Sequence, residues 1–199
     1  MSATILVLYY SRYGAVKQMA HHITRGVESI DGAIARIRTV PPVSPQNEAT
    51  IPPIPETGAV YATLDDVREC DGLALGSPTR FGNMASPLKY FVETLTPLWI
   101  SGELIDKPAA VFTSSASLHG GQETTLLTMM LPLMHLGCMI VGVPCTAMDL
   151  HQTTTGGTPY GPTHIAGADS KNPLSAEEER LCFLTGQRLA RVALNMKGI

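Results

Sequence analysis

Hydrophobic positions fall into two alternating periods along the chain. Ile5-Leu6-Val7-Leu8-Tyr9-Tyr10 is continuously apolar, the pattern of a strand covered on both faces. It stops at Ser11-Arg12-Tyr13-Gly14, after which Val16, Met19, Ala20, Ile23, Val27 and Ile30 recur at helical spacing. A second strand alternates from Ile34 to Val40, and a third run, Leu73-Ala74-Leu75, ends at Gly76-Ser77-Pro78. Ser86-Pro87 reads as a helix start, serine as cap and proline at the first helical position, with Leu88, Phe91, Val92 and Leu95 on the inner face. Ala109-Ala110-Val111-Phe112 gives a fourth strand that stops at small polar residues. A helix is expected near 122–136, then a fifth strand, Met139-Ile140-Val141. Ser175-Ala176-Glu177-Glu178 is a capping box opening a last helix with Cys182, Gly186, Leu189, Ala193 and Met196 along one stripe. Buried strands alternating with helices predict an α/β fold, a five-stranded parallel sheet with helices on both faces.

Two stretches break the alternation inside this single domain of residues 1–199. Six of the fifteen prolines lie within 41–55, which predicts an extended excursion over 41–60. Residues 146–173 are rich in Gly and Thr, and the part from His151 to Pro173, low in charge and bearing a tyrosine, is expected to be an ordered loop touching a ligand or another subunit. Residues 124–148 carry no charge and are long enough to cross a bilayer. Pro132, Gly137, Gly142 and Pro144 interrupt them, with His135 in the middle, so they read as a buried helix followed by a buried strand.

Composition narrows the function. Only 16% of the residues are charged and 44% are apolar, which excludes a disordered chain. A net charge of −3 gives no long-range attraction for nucleic acid or anionic lipid. Cys70, Cys138, Cys145 and Cys182 show no CxxC pair, as for free thiols in a reducing compartment. The first apolar run is too short and lacks the basic leader of a signal peptide, so a cytoplasmic location is expected. His21, His22, His151 and His164 lack metal-ligand spacing, and no metal site is expected. No nucleophile elbow of a hydrolase is present.

In an open parallel sheet, ligands bind beyond the carboxyl ends of the strands. Three such ends are dense in Gly, Ser and Thr. At Ser11-Arg12-Tyr13-Gly14-Ala15-Val16, helix N–H groups, a hydroxyl and Arg12 suit a phosphate, although the loop is neither GxGxxG nor a P-loop. Read alone, it is equally well an ordinary turn capped by Ser11. Pro78-Thr79-Arg80-Phe81-Gly82-Asn83 offers a stiffened backbone, a flat apolar ring and polar groups. Thr113-Ser114-Ser115-Ala116-Ser117-Leu118-His119-Gly120-Gly121 is the third. Together they suit a planar, polar-edged cofactor bearing a phosphate.

Ser11-x-x-Gly14, Pro78-Thr79-Arg80-Phe81-Gly82-Asn83-Met84, Gly120-Gly121-Gln122-Glu123 and Gly156-Gly157-Thr158-Pro159-Tyr160-Gly161 occur in this order and spacing. In this the chain resembles the WrbA family of flavodoxin-like NAD(P)H:quinone oxidoreductases over essentially its whole length. The resemblance implies a flavodoxin-like doubly wound sheet and FMN as cofactor. It implies NADH or NADPH as donor and a quinone as acceptor, in ping-pong hydride transfer through flavin N5. By the same resemblance, the loop from Ser11 to Val16 holds the FMN phosphate. Thr79, Arg80 and Phe81 lie closest to the ring within the 78–83 segment, and Thr113, Ser114, Ser115, Ala116, Ser117, Leu118, Gly120 and Gly121 close its other side. His135 lies beside the flavin from a neighbouring subunit, Tyr13 lines the nicotinamide side and Trp99 the quinone side. The chemistry is centred on the flavin, with no certain catalytic side chain, and the family forms tetramers.

The chain departs from the family at several points. Val16 stands where a hydroxyl is frequent, Ala116, Leu118 and His119 where Gly and Thr are, and Leu136 where a second histidine follows the first. By itself His135 reads as a core histidine on an apolar helix; only the resemblance puts it at a flavin. A one-electron flavodoxin-type carrier and a regulatory binding partner are the alternatives, the first disfavoured by the mild charge and the second by the lack of a basic patch.

Overall fold

A computed structural model describes residues 2–43 and 57–198. Strands β1 (Ala3–Tyr9), β2 (Ala33–Thr39), β3 (Gly72–Pro78), β4 (Pro108–Ser115), β5 (Met139–Ile140) and β6 (Thr163–Ile165) form one sheet. Their order is β2-β1-β3-β4-β5, with β6 also on β4, and all these pairings are parallel. Helices α1 (Ala15–Glu28), α2 (Leu64–Glu69), α3 (Ser86–Glu93), α4 (Thr96–Ser101), α5 (Gln122–His135), α6 (Asp149–Gln152) and α7 (Ala176–Lys197) complete the described chain.

The alternation of side chains along each strand sends two separate cores to the two faces. Leu6, Leu8, Leu73, Leu75 and Val111 pack with Leu88 of α3 and Leu126, Met129 and Leu133 of α5. Ile5, Val7, Ala74, Ala110 and Phe112 pack with Met19 and Ile23 of α1 and Leu189 and Ala190 of α7. On this second face α1 and α7 approach to backbone contact. A Cβ on Gly26 would lie 1.9 Å from the carbonyl oxygen of Phe183, and one on Gly186 would lie 2.0 Å from that of Ile23. The glycine in the α7 stripe is therefore a close-packing position.

The fifth strand differs from the sequence expectation: it is split. β5 pairs only with Pro108 and Ala109 at the base of β4. The chain then leaves the sheet and returns as β6, which pairs with Thr113, Ser114 and Ser115 at the top. Gly161 fills the gap between the halves, where a Cβ would sit 2.1 Å from the Val111 carbonyl oxygen. The stretch expected to be loop over 146–173 thus contains both α6 and a sixth strand. Likewise Thr113, Ser114 and Ser115, expected as loop after β4, are its last buried residues.

α5 is less buried than expected. Leu126, Met129 and Leu133 face the core, but Leu127, Leu131 and Met134 are 43%, 57% and 51% exposed, and Met139 of β5 is 39% exposed. No described helix is long and apolar enough to cross a membrane. At α3 the cap is Ala85, with Ser86 already helical and no side-chain cap; the Ala85 N–H donates instead to Ser77 Oγ at 2.8 Å. Of the proline-rich excursion, residues 44–56 lie outside the described residues. Beyond them the Thr39 N–H donates to the Val60 carbonyl at 3.1 Å.

The capping box of α7 forms as expected and does more than cap. Glu178 is 1% exposed. Its carboxylate accepts from the Ser175 N–H at 2.8 Å, from the Gly156 N–H at 2.8 Å and from His164 Nδ1 at 2.8 Å. Burial pushes the Glu178 carboxyl up, but the hydrogen bonds from His164, Ser175 and Gly156 outweigh it and hold the group below the usual glutamate value of 4.5. A carboxyl lowered by folding adds stability that is present above its unfolded value and lost as pH falls through its folded value. Glu178→Gln is therefore expected to cost about 2 kcal/mol at pH 7, and the difference should shrink below pH 4.5 in urea titrations. Parallel acid profiles for the two proteins would contradict this.

Candidate functional site

Parallel pairing brings the carboxyl ends of β1, β3 and β4 to one edge of the sheet, and a cavity opens there. From the β1–α1 loop it is lined by Ser11, Arg12, Tyr13, Ala15 and Val16. The β3 end supplies Pro78, Thr79 and Arg80, and the β4 end Ser114, Ser115 and Ala116. The three polar strand ends singled out in the sequence do meet. Two further lining residues, Ala166 and Ser170, follow β6 and were missed. Their signal is the same as at the other ends, an apolar step, Ile165, running into the small residues Ala166-Gly167-Ala168.

The β1–α1 loop is built to receive negative charge. Gly14 caps α1 with φ +98°, a conformation natural to glycine, and its N–H donates to Ser11 Oγ at 3.2 Å. The first-turn N–H groups of Ala15, Val16 and Lys17 have no acceptor within the helix, and no acidic residue stands in that turn. Val16, in place of a hydroxyl residue, is 1% exposed and belongs to the core. Arg12 lies over the Tyr13 ring, 5.3 Å from its centroid.

The β3–α3 loop turns back on itself. Arg80 and Asn83 exchange N–H···O=C bonds of 2.7 and 3.0 Å, and the central residues Phe81 and Gly82 have φ +53° and +74°. Positive φ at both central positions is a primed turn, in which glycine is at ease and phenylalanine is not. Gly82 must also stay small, because a Cβ would come 2.8 Å from Thr124 Oγ1. Phe81 is fully exposed, so packing does not hold it in that conformation. A strained, solvent-facing aromatic next to a cavity is the mark of a binding surface. Thr79 Oγ1 meets Thr125 Oγ1 at 2.7 Å, and Arg80 Nη1 donates to the Thr79 carbonyl at 2.8 Å.

At the β4 end the expected residues divide. Thr113 does not line the cavity: it is fully buried, and its hydroxyl donates to the Ser77 carbonyl at 2.8 Å. Ser115 is held by Gln122 Nε2 at 2.9 Å, and Gln122 Oε1 accepts from Thr163 Oγ1 at 2.8 Å, which ties β4, α5 and β6 together beside the cavity. Ser117, Leu118 and His119 are exposed, and with Gly120 and Gly121 they lead from the cavity to α5 without lining it.

His135 and Trp99 lie elsewhere in the chain. α5 begins beside the cavity and runs 14 residues, about 20 Å at 1.5 Å per residue, so His135 ends at the far side of the sheet. There it shares a groove of about 370 Å³ with Trp99, Pro132 and Thr96. The two residues line one groove, but neither lines the cavity of its own chain.

Three of the four thiols are buried. Burial pushes Cys70 up to about 11 and Cys138 up to about 12 and also raises Cys182, so these thiols stay protonated. Among the described residues no cluster of His, Cys, Asp and Glu is arranged to hold a metal ion.

Phe81→Gly is expected to raise the stability of the cofactor-free protein by about 1 kcal/mol, because it relieves a left-handed side chain that packs against nothing. A denaturant midpoint that falls would show that Phe81 is held by contacts and not strained.

Comparison with known proteins agrees with this geometry. The chain is similar to the protein named NAD(P)H dehydrogenase (quinone) from Chromohalobacter salexigens, at 40% identity over 98% of each chain. Its fold is shared by a WrbA-like flavodoxin from Agrobacterium tumefaciens (TM-score 0.67, 23% identity, 98% and 99% of the two chains covered). It is also shared by a flavodoxin from the domain Archaea (TM-score 0.63, 18% identity, 96% and 99% covered). Residues 4–152 match the NADPH-dependent FMN reductase family, and the chain, a flavodoxin-like protein with a split fifth strand, belongs to that family.

Proposed function

We propose that this protein binds FMN in the cavity at the ends of β1, β3 and β4 and reduces quinones to hydroquinones with electrons from NADH or NADPH. The observation that carries this reading is the convergence of three polar strand ends on one cavity in a chain of an FMN-using family. The cavity residues fit the cofactor. A helix N-terminus with no acidic residue in its first turn, flanked by the Ser11 hydroxyl, suits a phosphate. The exposed Phe81 and the hydroxyls of Ser114 and Ser115 suit a flat ring with a polar edge.

When bound, FMN supplies the hydride acceptance and the two-electron donation. The chain supplies position and charge. Ser11, Arg12, Tyr13, Gly14, Ala15 and Val16 surround the phosphate end. Pro78, Thr79, Arg80, Phe81, Gly82 and Asn83 run along one edge of the ring, where the Arg80 guanidinium favours negative charge. Ser114, Ser115 and Ala116 close the other side, with Ser117, Leu118, Gly120 and Gly121 beyond them, and Tyr13 flanks the nicotinamide.

The cavity encloses about 160 Å³, less than the ~300–1,000 Å³ of a site that buries a whole ligand of this kind. One chain thus grips the phosphate end and leaves the ring side open. We read the far groove as the missing cover: a neighbouring copy in a tetramer brings its His135 and Trp99 over the ring. The exposed apolar residues Ile100, Leu131 and Met134 around that groove support such an assembly. Four free cysteines accord with a reducing, cytoplasmic setting.

Ser11→Asp tests the phosphate site. A carboxylate there would repel the phosphate and compete for the same N–H groups, so flavin content after purification should fall at least tenfold with the far-UV circular dichroism unchanged. Full flavin content in Ser11→Asp would put the phosphate elsewhere.

A further inference from the structure

Arg12 and Arg80 line a second concavity as well as the cavity. It is a groove of about 360 Å³ formed with Tyr10, Pro42, Val43 and Pro87 among others, and no carboxylate is among its lining residues. The two guanidiniums come from different loops, β1–α1 and β3–α3, and form the shared wall between cavity and groove. Arg36, Arg38, Arg68 and Arg180 pair with carboxylates, whereas among the described residues Arg12 and Arg80 do not, and these two face one groove together. Each is steadied by a contact that leaves its charge uncompensated: Arg12 over the Tyr13 ring and Arg80 through one N–H to the Thr79 carbonyl. Arginines held in place without a counter-charge are prepared for an oxyanion, which the guanidinium binds through several parallel N–H donors. The rest of the groove, Tyr10, Pro42, Val43, Ala85, Ser86 and Pro87, is mostly apolar with the Ser86 hydroxyl among it, a surface for a purine and its ribose.

We propose that this groove binds the adenosine diphosphate half of the nicotinamide dinucleotide, with Arg12 and Arg80 on its phosphates, next to the opening where the nicotinamide reaches the flavin. The assignment rests on the reading of NAD(P)H as electron donor, and it adds where the donor's non-reacting half is gripped. Binding energy from that half would hold the reactive ring in place.

The test uses the FMN-loaded full chain and two probes without nicotinamide, ADP-ribose and 2′-phospho-ADP-ribose, in isothermal titration at low and at 0.15 M salt. Wild type should bind ADP-ribose alongside FMN, more weakly at the higher salt. Arg12→Gln and Arg80→Gln should each weaken binding about tenfold, the loss of one charge-assisted contact, and Arg12→Lys should recover part of it. Equal affinity for the two probes puts the arginines on the diphosphate, and tighter binding of the second puts one of them on a 2′-phosphate; either supports the groove. Unchanged probe affinity in both Gln variants would overturn the proposal, as would ADP-ribose displacing FMN. Binding of the probes needs no electron transfer, so it separates failure of the groove from failure of the reductase reading. Holoprotein that NADH and NADPH reduce but that takes up neither probe overturns the groove alone.

Discussion

The carboxylate of Glu178 is the interaction on which the upper half of this molecule depends. A parallel sheet whose edge strand stops after two residues would leave the top of β4 without a partner on one side, where its polar groups must be satisfied. The chain solves this by departing over residues 141–162 and returning as β6. The return is fixed from both faces of the sheet. On one face Glu178 takes hydrogen bonds from the departing chain at Gly156, from β6 at His164 and from its own helix cap at Ser175. On the other, Thr163 bonds Gln122, which holds Ser115. Ala166 and Ser170 then follow β6 directly into the cavity wall. A buried, fully bonded network of this kind specifies a single arrangement, and it delivers the fourth wall of the site to a fixed place.

Against this rigid frame the binding loops carry strain and unneutralised charge. The turn at Phe81 keeps an exposed, bulky side chain in left-handed geometry, and Arg12 and Arg80 stand at the same edge without carboxylate partners among the described residues. Neither feature helps the chain fold; both make sense as preparation for a flat, phosphate-bearing ligand. The far groove, with Trp99 and His135 amid exposed apolar residues, is unexplained by the packing of the described monomer, and we propose it as the cover that a neighbouring copy lays over the open side of the cavity.

Much of this was legible in the sequence because it depends on local signals. Continuous apolar runs gave β1, β3 and β4, helical spacing gave α1, an inner apolar face after Ser86-Pro87 gave α3, and the Ser175–Glu178 pair gave the start of α7. The three polar strand ends located the cavity, since parallel topology alone brings them together. What was hidden depends on tertiary context. β6 is three residues, Thr163-His164-Ile165, with no period to detect, and its strand character comes from pairing with β4. Thr113 reads as a loop residue because it is polar, yet its hydroxyl is satisfied inside the sheet by the Ser77 carbonyl. Ser86 reads as a cap, but Ser77 from the preceding strand took the hydrogen bond of Ala85. His135 and Trp99 carry no signal of their distance from the cavity; helix length sets it.

The central claim, that one opening on this protein receives electrons from a nicotinamide nucleotide and delivers them to a quinone, is tested most directly by rapid mixing without oxygen. FMN-loaded protein mixed with NADH or NADPH should lose its flavin absorbance in a fast saturable phase. After removal of the oxidised nucleotide, benzoquinone alone should restore the absorbance in a single phase. A flavin that neither nucleotide bleaches at a useful rate, or that benzoquinone reoxidises only while nucleotide remains bound, would contradict the account.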